Sequence, residues 1–216
     1  MNRLIPLILL LSGSLSLHAQ RLGNDTLPGY IVKTGTDTIQ SKLVLAYKMI
    51  KEKKTLHKEY ETEQWHKRAI VINAAGSTDT LYPNDISAYG IYLNHITQAV
   101  FRSSVVIIPH KGLLLNKGND SRFLRMELEG PISLYLYRHT ENGLGATTTY
   151  YDRYLRNEKG EMTVLKIKVW LGIAYNLEEV ESWFAGYPEL SKFKLKDMMA
   201  VEVWMLVDGY NRWREH

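Results

Sequence analysis

The chain contains no cysteine among its 216 residues. That excludes disulfides, thiolate metal sites and the acylated cysteine that anchors bacterial lipoproteins, so the fold is held by its core alone. Charge of one sign is also missing in bulk: 27 Lys and Arg stand against 23 Asp and Glu. A formal net charge of +4 is a mild excess and does not describe a nucleic-acid-binding face. There is no Gly-x-Ser-x-Gly elbow to anchor a serine triad, and no His-Glu-x-x-His order of a zinc protease. Beyond the first twenty residues no hydrophobic run approaches the ~20 residues of a spanning helix.

What is present begins with a leader. Arg3 precedes the apolar run Leu4 to Leu11, and Leu17-His18-Ala19-Gln20 offers a small residue for a signal peptidase. Pro6 and the Ser/Gly stretch from position 12 keep this segment short of a membrane anchor. The expectation is a cleaved signal at 1–20 and a working protein outside the cytoplasm, in the periplasm rather than at the cell surface. No span remains after cleavage.

Fourteen tyrosines lean the body towards strands and half-wet surfaces. Tyr30 to Lys33 and Thr38 to Leu45 flank Thr34-Gly35-Thr36-Asp37, a hairpin pattern that Ala69–Ile72 and Thr80–Tyr82 repeat around Asn73–Asp79. Lys48 to Lys58 reads equally as a charged edge strand or a short solvated helix. Leu124, Met126 and Leu128 alternate, Glu129-Gly130-Pro131 turns the chain, and Ile132, Leu134 and Leu136 alternate again with Tyr135 and Tyr137 behind them. A loop at 141–149 leads to Tyr150–Leu155 and, around Asn157–Gly160, to Met162–Leu165. After Tyr175 the pattern turns helical. Asn176 and Glu179 resemble a capping box, Gly186 and Pro188 stop that helix, and a second begins near Leu195 or Asp197. Its stripe is Met199, Val203, Leu206, Tyr210 and Trp213, spaced as a core-facing side. The fold expected is α+β: a curved antiparallel sheet, an open barrel or roll, over 28–168, with a helical carboxyl-terminal cap over 175–216.

Several short motifs stand in order: Gly35-Thr36-Asp37-Thr38-Ile39, Tyr82-Pro83-Asn84-Asp85-Ile86, Phe123-Leu124, Gly130-Pro131-Ile132-Ser133-Leu134-Tyr135, Trp183 to Leu190, and Gly209-Tyr210-Asn211. Together with the leader they resemble a group of exported Bacteroidota proteins, over most of the mature chain. That group brings no activity with it. Its members often carry a cysteine before Pro-Glu-Leu, where this chain has Tyr187, so a shared cysteine function does not extend here. The resemblance also implies O-glycosylation at Asp-Ser/Thr before an apolar residue, which gives Thr26, Thr38 and Thr80 as candidates, Thr26 first because it sits beside the leader. Asp-Thr in a turn is ordinary hairpin chemistry as well.

His57, Glu61 and His66 lie close in a charged segment; were it helical, His57 and Glu61 would share a face at i, i+4 as half a metal site, but too few ligands accompany them, and no metal or cofactor is expected. His95, His110, His139 and His216 are scattered. Glu127 and Glu129 share a face only as any solvent-facing alternation does. The lysines at 48, 51, 53, 54 and 58 suit an edge that discourages strand pairing. Tyr135, Tyr137, Tyr150 and Tyr151, with Tyr154, would line one sheet face and stack on a sugar or peptide if their hairpins are neighbours. The first functional expectation is therefore a non-catalytic binding or envelope-accessory protein, its partner an envelope protein or glycan and not nucleic acid. The alternatives are a small periplasmic hydrolase with a site assembled from distant residues, and a sheet that closes far enough to carry an apolar ligand.

Overall fold

Alternating β-branched, aromatic and polar residues give strands wherever one side can be buried, and this chain does so along most of its length. The computed structural model describes residues 22–33, 37–52, 55–93, 96–107, 119–142, 147–169 and 173–216. The leader, the turn at 34–36, the centre of the 141–149 loop, His95 and His110 lie outside them. β1 (Leu22–Lys33) and β2 (Thr38–Glu52) form the first expected hairpin, with β1 starting ahead of residue 28. β3 (Thr55–Tyr60) folds back on the far half of β2 and pairs with nothing else among the described residues, so of the lysine-rich segment Lys58 lies on an edge strand and Lys48 and Lys51 on β2, while Lys53 and Lys54 lie outside the described residues. One helical turn, α1 (Thr62–Trp65), leads to the hairpin of β4 (Ala69–Ile72) and β5 (Thr78–Leu81). Asn73 shapes the turn between them: its Oδ1 accepts the N–H groups of Ala75 and Ser77, and Gly76 takes a φ of 81°.

β6 (Ile86–Leu93), β7 (Ile96–Ile107), β8 (Asn119–Leu128), β9 (Ile132–Asn142), β10 (Thr147–Asn157) and β11 (Met162–Val164) then run as successive antiparallel neighbours. β6 also pairs with β1, which welds this run to the first hairpin and gives one eleven-stranded antiparallel sheet in the order β11-β10-β9-β8-β7-β6-β1-β2-β4-β5, with β3 on β2. The sheet is not closed. It is curved, because Ser104 Oγ on β7 reaches Met162 Sδ on β11 at 3.3 Å. A short ribbon, β12 (Lys166–Val169) with β13 (Ile173–Asn176), precedes the helical end. Among the described residues no helix is long and apolar enough to cross a membrane.

Both faces of the sheet are covered in part. On one, Leu43, Leu45, Tyr89, Ile91, Phe101 and Phe123 pack under Trp65 and the β4–β5 hairpin. Further along the same face, Ile132, Leu134 and Leu155 pack against α2 (Ala200–Glu215). The opposite face curls around Leu124, Tyr135, Tyr137 and Tyr154. The expected one-sided hairpin over 124–137 is thus buried on both sides: Ile132, Leu134 and Leu136 on one, Tyr135 and Tyr137 on the other.

The helical end differs in detail from its sequence pattern. Residues 178–184 form a 3-10 helix, not an α-helix; its N-cap is Leu177, and Asn176 Oδ1 accepts the Glu178 N–H. Gly186, with φ of 82°, ends the segment as expected. α2 starts at Ala200, where Glu202 reaches back to accept the Met199 N–H at 2.6 Å. Val203, Leu206 and Tyr210 of the expected stripe are buried, joined by Val207; Met199 precedes the helix and, like Trp213, is exposed.

Candidate functional site

A seam in the sheet sets up the site. β8 and β9 pair from Leu128 back to Arg125, opposite Leu134 to Leu136, and the ladder ends there. Where Phe123 would next face Arg138, His66 is inserted instead. Its carbonyl accepts the Phe123 N–H at 2.8 Å, its Nδ1 lies 2.6 Å from the Phe123 carbonyl oxygen, and its Nε2 lies 3.2 Å from the Arg138 backbone nitrogen. A carbonyl only accepts and an amide N–H only donates, so Nδ1 carries the hydrogen and Nε2 is bare. The imidazole replaces a missing rung of the ladder, and it does so only when neutral. Burial pushes its pKa down to about 4, against the upward pull of the Phe123 carbonyl; Arg125 and Arg138 push it down too.

Beside this seam is a cavity of about 320 Å³. Its floor is apolar, from Leu27, Leu45, Ile91, Ala99, Phe101 and Leu136, and Trp65 of α1 closes one side. The volume lies at the lower end of ordinary small-ligand sites. Two guanidinium groups, of Arg125 and Arg138, stand in the same wall with Tyr60, Thr62 and Tyr151. Arg138 donates to Thr62 Oγ1 and lies 5.8 Å from the centre of the Tyr151 ring. Its Nε is buried with no acceptor among the described residues, as is Nε1 of Trp65. An orphaned buried donor costs about 1–3 kcal/mol.

The cations of this face are not treated alike. Arg153 is paired with Glu127 at 3.2 Å and also donates to Tyr175 Oη at 2.6 Å. Among the described residues no carboxylate lies within ion-pair distance of Arg125 or Arg138. Glu59, Glu61 and Glu63 line a neighbouring opening with Arg138, and Glu63 is taken by Lys67 at 2.7 Å. Tyr60 donates to Asp25, which Lys58 also holds at 2.8 Å.

No family model matches the chain. No curated protein and no solved structure matches it either. The functional reading therefore rests on the geometry.

A wider depression of about 790 Å³ lies at the other end of the sheet between β1–β2 and β4–β5. Its acids serve their own turns: Asp79 accepts from Asn73, and Asp85 accepts the Tyr82 N–H at 2.7 Å. A second buried polar cluster sits on the opposite face of β9 and β10. There His139 Nδ1 lies 3.3 Å from Asp152 Oδ2, with the imidazole stacked between the rings of Tyr137 and Tyr150 at 5.3 and 5.2 Å.

The residues singled out in the sequence disperse over the fold. Tyr135, Tyr137 and Tyr150 share one face, but the first two are buried within the curled end of the sheet. Tyr151 points to the other face, in the cavity wall. The four do not make one exposed stacking surface, because curvature buries the side that alternation assigns to solvent. Thr26, Thr38 and Thr80 are all exposed. Thr26 lies within β1, paired with Val44, and not in a loose leader region. His57 is exposed on β3 and Glu61 follows the end of that strand, so the two share no helix face; His66 is buried. Glu127 and Glu129 part company as well: Glu127 pairs with Arg153 and Glu129 with Arg102, because the β8–β9 register shifts between Met126 and Leu128.

Arg125 and Arg138 were not among the residues expected to act. A signal for them does exist in the sequence. Arg138 continues the phase Ile132, Leu134, Leu136, and Arg125 continues the phase of Phe123. A cation in the apolar phase of two adjacent strands marks a place where buried surface meets charge.

Proposed function

We propose that this chain is an exported, non-catalytic binding protein that takes an apolar ligand, or the apolar part of one, into the cavity beside the His66 seam. The framework is the open roll of antiparallel strands under its carboxyl-terminal cap. The observation that carries the reading is an apolar floor with two guanidinium-bearing residues, Arg125 and Arg138, in its wall. A hydrolase would need an imidazole or carboxylate free to move a proton at the cavity. His66 has both nitrogens engaged in the sheet, and Glu63 is held by Lys67, which favours binding over catalysis. The tyrosine face expected to stack on a glycan loses support because Tyr135 and Tyr137 are buried.

The test is mass spectrometry of the protein purified from its own cells without denaturation. The expected result is a terminus at Gln20 or Arg21, with a small-molecule mass that is lost on unfolding and absent from an Ala99→Trp variant whose indole fills the cavity. A bare polypeptide in both proteins, or an intact Met1 in the membrane fraction, contradicts the proposal. The same spectra test sugar addition at Thr26, Thr38 or Thr80.

A further inference from the structure

Arg125, Arg138 and Arg153 project from one sheet face, on three adjacent strands, and only Arg153 has a carboxylate partner among the described residues. The register explains the grouping. Arg125 stands opposite Leu136 on β9 and Phe101 on β7, while Arg138 stands opposite Tyr151 on β10. Both guanidinium groups thus border the apolar floor formed by Leu136, Phe101 and Ile91.

Each is held in a different way. Arg138 is half-buried and braced by Thr62 and Tyr151, its chain fixed by the backbone bond to His66. Arg125 is exposed, and among the described residues no side-chain hydrogen bond or ion pair ties it down. One cation is therefore pre-positioned and the other is free to close over what arrives. The neutral state of His66 between them fits this reading. Burial is the larger cause, and the two guanidinium groups add to it by disfavouring a further positive charge at the seam.

We propose that the ligand is an amphiphile with an apolar tail and a single anionic head, the tail lying over Leu27, Ile91 and Phe101 and the head held between Arg125 and Arg138. The proposal rests on the cavity being the binding site. Guanidinium groups suit carboxylate and phosphate alike through paired N–H donors, so the head is an anionic oxygen group, supplied by a fatty acid or by a phosphate-headed lipid.

Calorimetric titrations with dodecanoate, dodecyl phosphate and dodecanol separate the outcomes. The wild-type protein binds the two anions roughly ten- to a hundredfold more tightly than the alcohol, the range expected for hydrogen bonds to a charged group. Arg125→Gln and Arg138→Gln each remove most of that preference, bringing the anion affinities down towards that of dodecanol. Ala99→Trp blocks all three ligands. Tighter dodecyl phosphate binding identifies a phosphate-headed source, and tighter dodecanoate binding a free carboxylate. Dodecanol binding as tightly as the anions, in a manner blocked by Ala99→Trp, overturns the anionic head while the cavity stands. Binding of none of the three, or binding indifferent to Ala99→Trp, overturns the cavity reading as well. Arg125 is exposed on a strand, so its variant folds and decides the matter even if Arg138→Gln loosens the seam.

Discussion

At the scale of single residues, two side chains substitute for backbone. His66 completes the β8–β9 ladder with a neutral imidazole. The unfolded chain takes up a proton at this residue near its ordinary value of 6.5, whereas the folded protein resists until about 4. Between those values the unfolded state binds more protons, so stability present above pH 6.5 falls as the pH is lowered towards 4, by roughly 3 kcal/mol in all. Urea unfolding of the wild type and a His66→Gln variant across that window checks this. The variant loses stability at neutral pH and shows a flatter slope, while identical slopes would show that His66 does not carry the effect.

Asn211 plays the corresponding part at the carboxyl end. Its Oδ1 accepts the Ile132 N–H at 2.9 Å and its Nδ2 donates to the Ile132 carbonyl at 2.7 Å, tying α2 to the first residue of β9. Gly130 makes room, since a Cβ there would collide with the Asn211 amide. Two short motifs, Gly130-Pro131-Ile132 and Gly209-Tyr210-Asn211, thus meet as one structural joint. Asn211→Leu strands two buried backbone groups and is expected to cost about 2–5 kcal/mol, read as a fall in the urea midpoint. An unchanged midpoint would mean water satisfies Ile132 instead.

At the scale of elements, alternation located most strands because each packs on at least one side. It failed where geometry departs from an even pleat. The register shift between Met126 and Leu128 sends Leu128 to the α2 cluster while Leu124 and Met126 stay with the tyrosines. Pairing of β1 with β6 is a long-range contact that no local pattern announces. In α2, an amphipathic stripe fixed the buried side but not where the helix begins. Leu206 is fully buried and Trp204, two residues away, is exposed. Leu206→Ala should destabilise by about 2–5 kcal/mol and Trp204→Ala by less than about 0.5 kcal/mol. Chemical denaturation of the pair checks whether α2 packs in this rotation, and a larger loss from Trp204→Ala would contradict it.

At the scale of the whole molecule, the sequence supported an antiparallel sheet with a helical end but not the cavity, which draws on β1, β2, β3, β6, β7, β8, β9, β10 and α1 together. Its walls are assembled by the curvature of the sheet and by the insertion of His66 at a seam, neither of which a linear pattern displays. The unpaired cations were visible as Arg125 and Arg138 in apolar phase, yet their meaning appears only once Glu127 is seen to neutralise Arg153 and to leave the other two without an acid among the described residues. The fold then reads as a scaffold whose curved face keeps a polar-walled opening beside the His66 seam.

The most direct test is diffraction from crystals soaked with dodecanoate carrying a terminal bromine, located by its anomalous signal. A single bromine peak is predicted over the apolar floor of Leu27, Ile91 and Phe101, with the carboxylate density between Arg125 and Arg138. A peak confined to the exposed side of α2 around Trp204, or no ordered bromine at a saturating concentration, would contradict an anionic amphiphile seated in this cavity.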